Sequence, residues 1–170
     1  GAITGAGVAR YPDGAVHEGR FLDGAPNGPG KITYPDGSSY EGEWVAGVIE
    51  GQGVSITADG LRYEGAFVAG QRQGEGVLTG PDGYEYAGDW VAGKPDGTGV
   101  ARYADGSVYE GEFSQGQRHG QGKLVLPDGF EYEGSWSEGA IEGEGVARYS
   151  NGDVYTGAFL DGQRHGYGVM

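Results

Sequence analysis

Aromatic and acidic positions alternate along this chain in short bursts. In the stretch 38–45 (SSYEGEWV), Tyr40, Gly42 and Trp44 share one face of an extended strand, and Glu41 and Glu43 share the other. A glycine-rich stretch, 46–53 (AGVIEGQG), follows, and then a second short strand, 54–57 (VSIT), which Gly51 and Gly53 open. Pro-Asp-Gly at 35–37 suits a tight turn, because proline presets φ and glycine accepts φ > 0. No ten-residue segment carries a 3.6-residue apolar period, so the pattern predicts paired strands and no helix.

The pattern repeats. One series of Asp-Gly or Asn-Gly pairs begins at Asp13, Asp36, Asp59, Asp82, Asp105, Asp128 and Asn151, with every step 23 residues. Seven units open at Tyr11, Tyr34, Thr57, Gly80, Tyr103, Leu126 and Tyr149. Residues 1–10 (GAITGAGVAR) form a half unit that matches 139–148 (GAIEGEGVAR), and the last unit stops two residues short. The expected organisation is one array over 1–170. Glycine weakens a strand interior, so its regular placement needs a reason. Bare backbone at Gly42, Gly51 and Gly53 leaves room for rings of a neighbouring strand to lie across the sheet. A lone hairpin is too small to be stable, so neighbours must stack.

Composition fits that picture. Glycine supplies 39 of 170 residues, about three times average usage. Leu, Ile, Val and Phe number only 30, a disorder warning that twelve tyrosines and three tryptophans answer by doing the burying. The absence of cysteine excludes disulfides, thiolate metal sites and a cysteine nucleophile. The net charge of −14 argues against nucleic acid and disfavours anionic membranes. With no apolar run of 18 residues and no signal pattern, a soluble, cytoplasmic chain is expected.

The motifs YEGEW…GQGV (40–54), YEGAF…GQRQGEGV (63–77), YAGDW…GTGV (86–100), YEGEF…GQRHGQG (109–122), YEGSW…GEGV (132–146) and YTGAF…GQRHGYGV (155–169) resemble the MORN repeat family. HEGRF at 17–21 is the most divergent copy. The resemblance covers essentially the whole chain. It implies an all-β fold, an elongated single-layer array of stacked antiparallel β-hairpins with an aromatic-lined groove. It also implies a scaffold or interaction role, with phospholipid binding as the family's disputed alternative. Family activities carried by appended methyltransferase or lipid-kinase domains have no counterpart here.

A second period overlies the first. The strand-closing aromatic alternates through Phe21, Trp44, Phe67, Trp90, Phe113, Trp136 and Phe159. The hairpin loops alternate with it, Arg72, Arg118 and Arg164 against Glu50, Asp96 and Glu142, which predicts a charge ladder along one edge. At two strands per unit, each unit rises about 9.6 Å and the rod reaches about 65–70 Å.

No catalytic constellation emerges. The Gly-x-Gly stretches lack a nucleotide-loop pattern. His119 and His165 stand about 19 Å apart by strand spacing, too far to share a metal. Carboxylate pairs such as Glu41/Glu43 and Glu110/Glu112 recur on an exposed face. The expectation is a non-enzymatic module with no cofactor and no metal. Tyr40, Trp44, Tyr63, Phe67, Tyr86, Trp90, Tyr109, Phe113, Tyr132, Trp136, Tyr155 and Phe159 form two ladders that are both core and candidate groove. Their hydroxyls and ring edges would face a peptide, a helix or a glycan. Protein partners are expected, with a phospholipid surface or a glycan as alternatives. Self-association is expected through the terminal hairpins, above all at Tyr155, Phe159 and Tyr167.

Overall fold

Each repeat folds as a hairpin because two different turns bracket its strands. The computed structural model describes residues 2–170; Gly1, the first residue of the half unit 1–10, lies outside the described residues. The chain divides into two units, Gly1–Pro81 and Asp82–Met170. The first holds β1 (Gly5–Arg10), β2 (Val16–Leu22), β3 (Ala25–Thr33), β4 (Ser39–Val45), β5 (Val48–Ile56), β6 (Arg62–Val68) and β7 (Gln71–Thr79). The second holds β8 (Glu85–Val91), β9 (Lys94–Arg102), β10 (Val108–Ser114), β11 (Gln117–Val125), β12 (Glu131–Ser137), β13 (Ala140–Arg148), β14 (Val154–Leu160) and β15 (Gln163–Val169). Within each unit the strands pair antiparallel in sequence order, and the described residues contain no helix. The fold is all-β, built of hairpins in single layers of sheet.

The Pro-Asp-Gly turn forms as expected. Gly37 N donates to Tyr34 O at 3.0 Å, Gly37 takes φ 87°, and Asp36 Oδ1 accepts from Ser38 N at 2.9 Å. The other turn differs from the expected glycine-rich loop. Ala46 (φ 47°) and Gly47 (φ 83°) make a two-residue turn of the I′ kind, whose twist matches that of the strands it joins. The second strand of this hairpin therefore begins at Val48, inside the stretch expected to be loop. A residue other than glycine takes φ 47–50° at the same place in all seven hairpins. In six of the turns within the two units, including the one at Ala46, the following glycine N–H bonds the repeat or half repeat before it. Gly47 N, for example, donates to Pro26 O at 2.8 Å, and Gly139 N to Arg118 O at 2.9 Å.

Glycine forms a row across the strands of the first unit: Gly19, Gly30, Gly42, Gly53, Gly65 and Gly76 stand opposite one another in succession. Beyond each hairpin's glycine pair the register shifts. After Gly42↔Gly53 the next pair is Trp44↔Ile49, so Glu50, Gly51 and Gln52 bulge opposite Glu43. The reason for bare backbone follows expectation at Gly53 and differs at Gly42. The ring over both is Tyr40, which reaches Gly53 from the neighbouring strand and lies over Gly42 from two residues earlier on the same strand. A Cβ on Gly53 would fall 2.5 Å from Tyr40 Cε2 and 2.6 Å from Cζ.

Gly53→Ala should therefore lose about 1–3 kcal/mol by overpacking. Glu41→Ala, on the exposed face, should stay within about 0.5 kcal/mol. Urea denaturation measures both, and equal losses would mean that the two faces are misassigned.

Candidate functional site

The aromatic face is a sealed layer with a second, partly exposed layer above it. All twelve residues of the two ladders are buried, Tyr86, Tyr109 and Tyr132 completely. Each tyrosine meets the closing aromatic of its own strand edge to face and, within a unit, that of the next repeat. Tyr109 lies 5.0 Å from Phe113 and 5.2 Å from Trp136, both at 85°. Tyr40 bridges Trp44 (5.4 Å) and Phe67 (5.1 Å) in the same way. Such pairs add about 0.5–1.5 kcal/mol beyond burial.

The tyrosine hydroxyls are not presented to a ligand, contrary to the sequence expectation. Each leans along its own strand and donates to the carbonyl three residues on. Tyr40 bonds Glu43 O (3.0 Å), Tyr63 Ala66 O (2.8 Å), Tyr86 Asp89 O (2.9 Å), Tyr109 Glu112 O (2.7 Å), Tyr132 Ser135 O (3.0 Å) and Tyr155 Ala158 O (3.1 Å). His17 takes the tyrosine place in β2. It is fully buried, makes edge-to-face contacts with Phe21 and Trp44, and neither ring nitrogen has a hydrogen-bond partner. Burial lowers its pKa.

The six alternating charges lie on strands rather than in loops, and in two rows rather than one. Arg72, Arg118 and Arg164 stand directly opposite the closing phenylalanines Phe67, Phe113 and Phe159. Opposite the closing tryptophans stand Ile49, Pro95 and Ile141. Glu50, Asp96 and Glu142 come one residue later, in the bulge. The acids tie down backbone: Glu50 Oε2 accepts from Ala69 N (2.9 Å) and Asp96 Oδ2 from Gln115 N (3.0 Å). Asn27, which the sequence reading passed over, does the same for Ala46 N at 3.1 Å. The N–H groups held are those of left-handed turn residues. Among the described residues the ion pairs within the units join other residues: Arg62–Glu64, Arg102–Glu85 and Lys123–Glu131.

The arginines cover rings. Arg118 places its guanidinium carbon 4.6 Å from the Trp136 ring centre and 5.9 Å from those of Tyr103 and Tyr109, and donates to Gly139 O at 2.9 Å. Arg164 lies 5.9 Å from Tyr149 and 5.6 Å from Tyr155. Arg118, in a Phe repeat, thus packs on the tryptophan that closes the next repeat, Trp136. Tyr11, Tyr34, Tyr103 and Tyr149, read only as the openings of units, form the other wall of this layer. Two open slots lie in it. One, of about 310 Å³ in the first unit, is lined by residues including Tyr11, Tyr34 and Trp44; the other, of about 420 Å³ in the second, by residues including Ile141, Tyr149 and Arg164.

The sequence profile of the MORN repeat matches seven times, over residues 17–39, 40–62, 63–83, 86–108, 109–130, 132–154 and 155–170. The chain belongs to the MORN repeat family. These matches begin at the buried tyrosine of each hairpin, with His17 in the first. No curated protein sequence matches the chain. Among solved structures, the MORN array is similar in fold to the TCP domain of Drosophila melanogaster SAS-4 in complex with a proline-rich motif of Ana2. That likeness has a TM-score of 0.54 at 16% identity, covering 91% of this chain and 85% of that one. A second likeness is to the TCP10 domain of Danio rerio CPAP in complex with a peptide of STIL. Its TM-score is 0.55 at 16% identity, covering 96% of this chain and 71% of that one. No helix among the described residues is long and apolar enough to cross a membrane.

The buried tyrosines set an alkaline limit. Burial pushes Tyr40 and Tyr109 up from 10.0 to about 12, and Tyr86 further still. A phenol whose folded pKa is raised contributes stability that is complete below pH 10 and is lost as pH rises through about 12. The melting temperature should hold to about pH 10 and then fall steeply, with tyrosinate absorbance appearing together with unfolding. Tyrosinate appearing well below the unfolding transition would contradict the burial.

Proposed function

We propose that this MORN array is a non-enzymatic protein-interaction module that takes an extended segment of a partner protein on its aromatic face. The carrying observation is the layer above the core, where the tyrosines that open repeats and the partners of the closing aromatics leave an open slot in each unit. Aromatic side chains that stay put give contact area at little entropic cost, and a few oriented polar groups give selectivity. The opposite face differs in chemistry: its open hollow of about 550 Å³ in the first unit is lined by Glu18, Lys31, Glu41 and Glu43 and by no aromatic ring. Across the first unit Glu18, Lys31, Glu41, Val54, Glu64 and Val77 stand in one row, mostly charged and exposed. The two similar TCP domains are themselves complexes with partner peptides, which supports a sheet of this kind as a peptide platform.

Selection of a random peptide library against the full chain tests the reading. Binders should lose about tenfold or more affinity on Ile141→Glu, which alters the second-unit slot, and keep it on Glu133→Arg on the opposite face. Both variants are first shown to melt cooperatively. Binders equally sensitive to both, or sensitive to Glu133→Arg alone, would overturn the choice of face.

A further inference from the structure

We infer that the slot of the first unit receives an arginine side chain from a partner protein, at the place that a later repeat fills with an arginine of its own. The inference rests on the interaction-module reading and adds the residue chemistry that the module selects.

The second unit supplies the template. Arg118 is held there by Tyr103, Tyr109, Trp136 and the Gly139 carbonyl. Four repeats earlier the same positions are Tyr11, His17, Trp44 and Gly47, and Pro26 stands in place of Arg118. All five of these residues line the cavity of about 310 Å³. The frame is the same at both places. Trp44 Nε1 donates to Gly30 O at 3.2 Å, and Trp136 Nε1 to Gly122 O at 3.1 Å. Gly47 N donates to Pro26 O at 2.8 Å, and Gly139 N to Arg118 O at 2.9 Å. The pyrrolidine ring of Pro26 cannot reach over the indole, and the imidazole of His17 is shorter than the tyrosine it replaces. Both substitutions remove bulk from one slot.

Charge selects a cation. Asp13 lines the cavity. Tyr34, on the same wall, has its hydroxyl pushed up by burial and then by the negative charges of Asp13 and Asp36. Arginine suits the place better than lysine, because a planar guanidinium stacks on an indole and donates sideways at the same time. Arg118 does both within this chain.

The experiment titrates the ¹⁵N-labelled full chain with acetyl-Gly-Arg-Gly-amide and with its uncharged citrulline twin. The arginine peptide should shift the Trp44 indole and Gly47 amide signals saturably, with Kd of about 1–10 mM, as expected for one cation–π anchor. The citrulline peptide should bind about tenfold or more weakly. Pro26→Arg, which fills the slot from within, should abolish the response. Asp13→Asn should weaken it several-fold; asparagine keeps the turn, as Asn151 does by accepting from Asp153 N at 3.0 Å. Asp13→Asn decides the matter if Pro26→Arg does not fold. An equal response to citrulline, an undiminished response in folded Pro26→Arg or in Asp13→Asn, or no response to the arginine peptide would overturn the inference. Library-selected peptides that need the aromatic face but bind folded Pro26→Arg unchanged would sink the slot and leave the module reading standing. A saturable Trp44 response beside library binders indifferent to the aromatic face would do the reverse.

Discussion

Everything in this protein depends on a tyrosine lying flat over two glycines. Tyr40 covers Gly42 and Gly53 and closes on the Glu43 carbonyl, and the same arrangement recurs at Tyr63, Tyr86, Tyr109, Tyr132 and Tyr155. A single layer of sheet has no second layer to bury its apolar face. Its rings must bury one another, and they can lie flat only where no Cβ intervenes. Few aliphatic residues are then needed, which reconciles the low Leu, Ile, Val and Phe content with an ordered chain. The same geometry fixes the hydroxyls: a ring leaning along its strand points its oxygen at a backbone carbonyl in the bulge region.

The repeats are joined at their turns as well as through their rings. A left-handed Ala46 is unfavourable by about 1–2 kcal/mol, and it persists because the surroundings hold it. Pro26 O and Asn27 Oδ1 accept the two N–H groups of that turn. Glu50 and Asp96 have the same task in later repeats. What reads in the sequence as loop charge is therefore a backbone clamp, and the arginines beside it are lids over rings.

The faces of the strands, the 23-residue period and the Pro-Asp-Gly turn were legible because each has a local signature. The second turn was legible only at Asp23-Gly24 and Asp161-Gly162, where Asp-Gly is itself a hairpin signal that the reading passed over; in the other five, alanine, glutamine or glutamate before glycine carries none, and only the twist of the paired strands demands φ > 0 there. The bulge stayed hidden for the same reason, and with it the true row of each charge. Arg118 and Glu142 look alike as loop charges until the register shows one opposite Phe113 and the other inside a bulge. The slot was half legible. Pro26 interrupts the series Arg72, Arg118 and Arg164 at the expected spacing, but what it fails to cover becomes visible only when Tyr11 and Trp44 are brought together.

The glycine row also decides where recognition can reside. A strand of this array has side chains on two faces, and on the aromatic face the central ones are absent by necessity. The opposite face keeps its side chains, and they are mostly exposed carboxylates such as Glu18, Glu41 and Glu43. Like charges spread over a flat sheet oppose stacking of one array on another, a standing hazard for exposed strands. Variation on that face changes charge and little else. On the aromatic face the core rings are fixed by the fold, so selectivity falls to the residues just above them: the partners of the closing aromatics and the tyrosines that open each repeat. Those positions do vary, through proline, isoleucine and arginine on one wall and through tyrosine, threonine, glycine and leucine on the other. An array built this way can change what it binds one repeat at a time without disturbing the packing beneath.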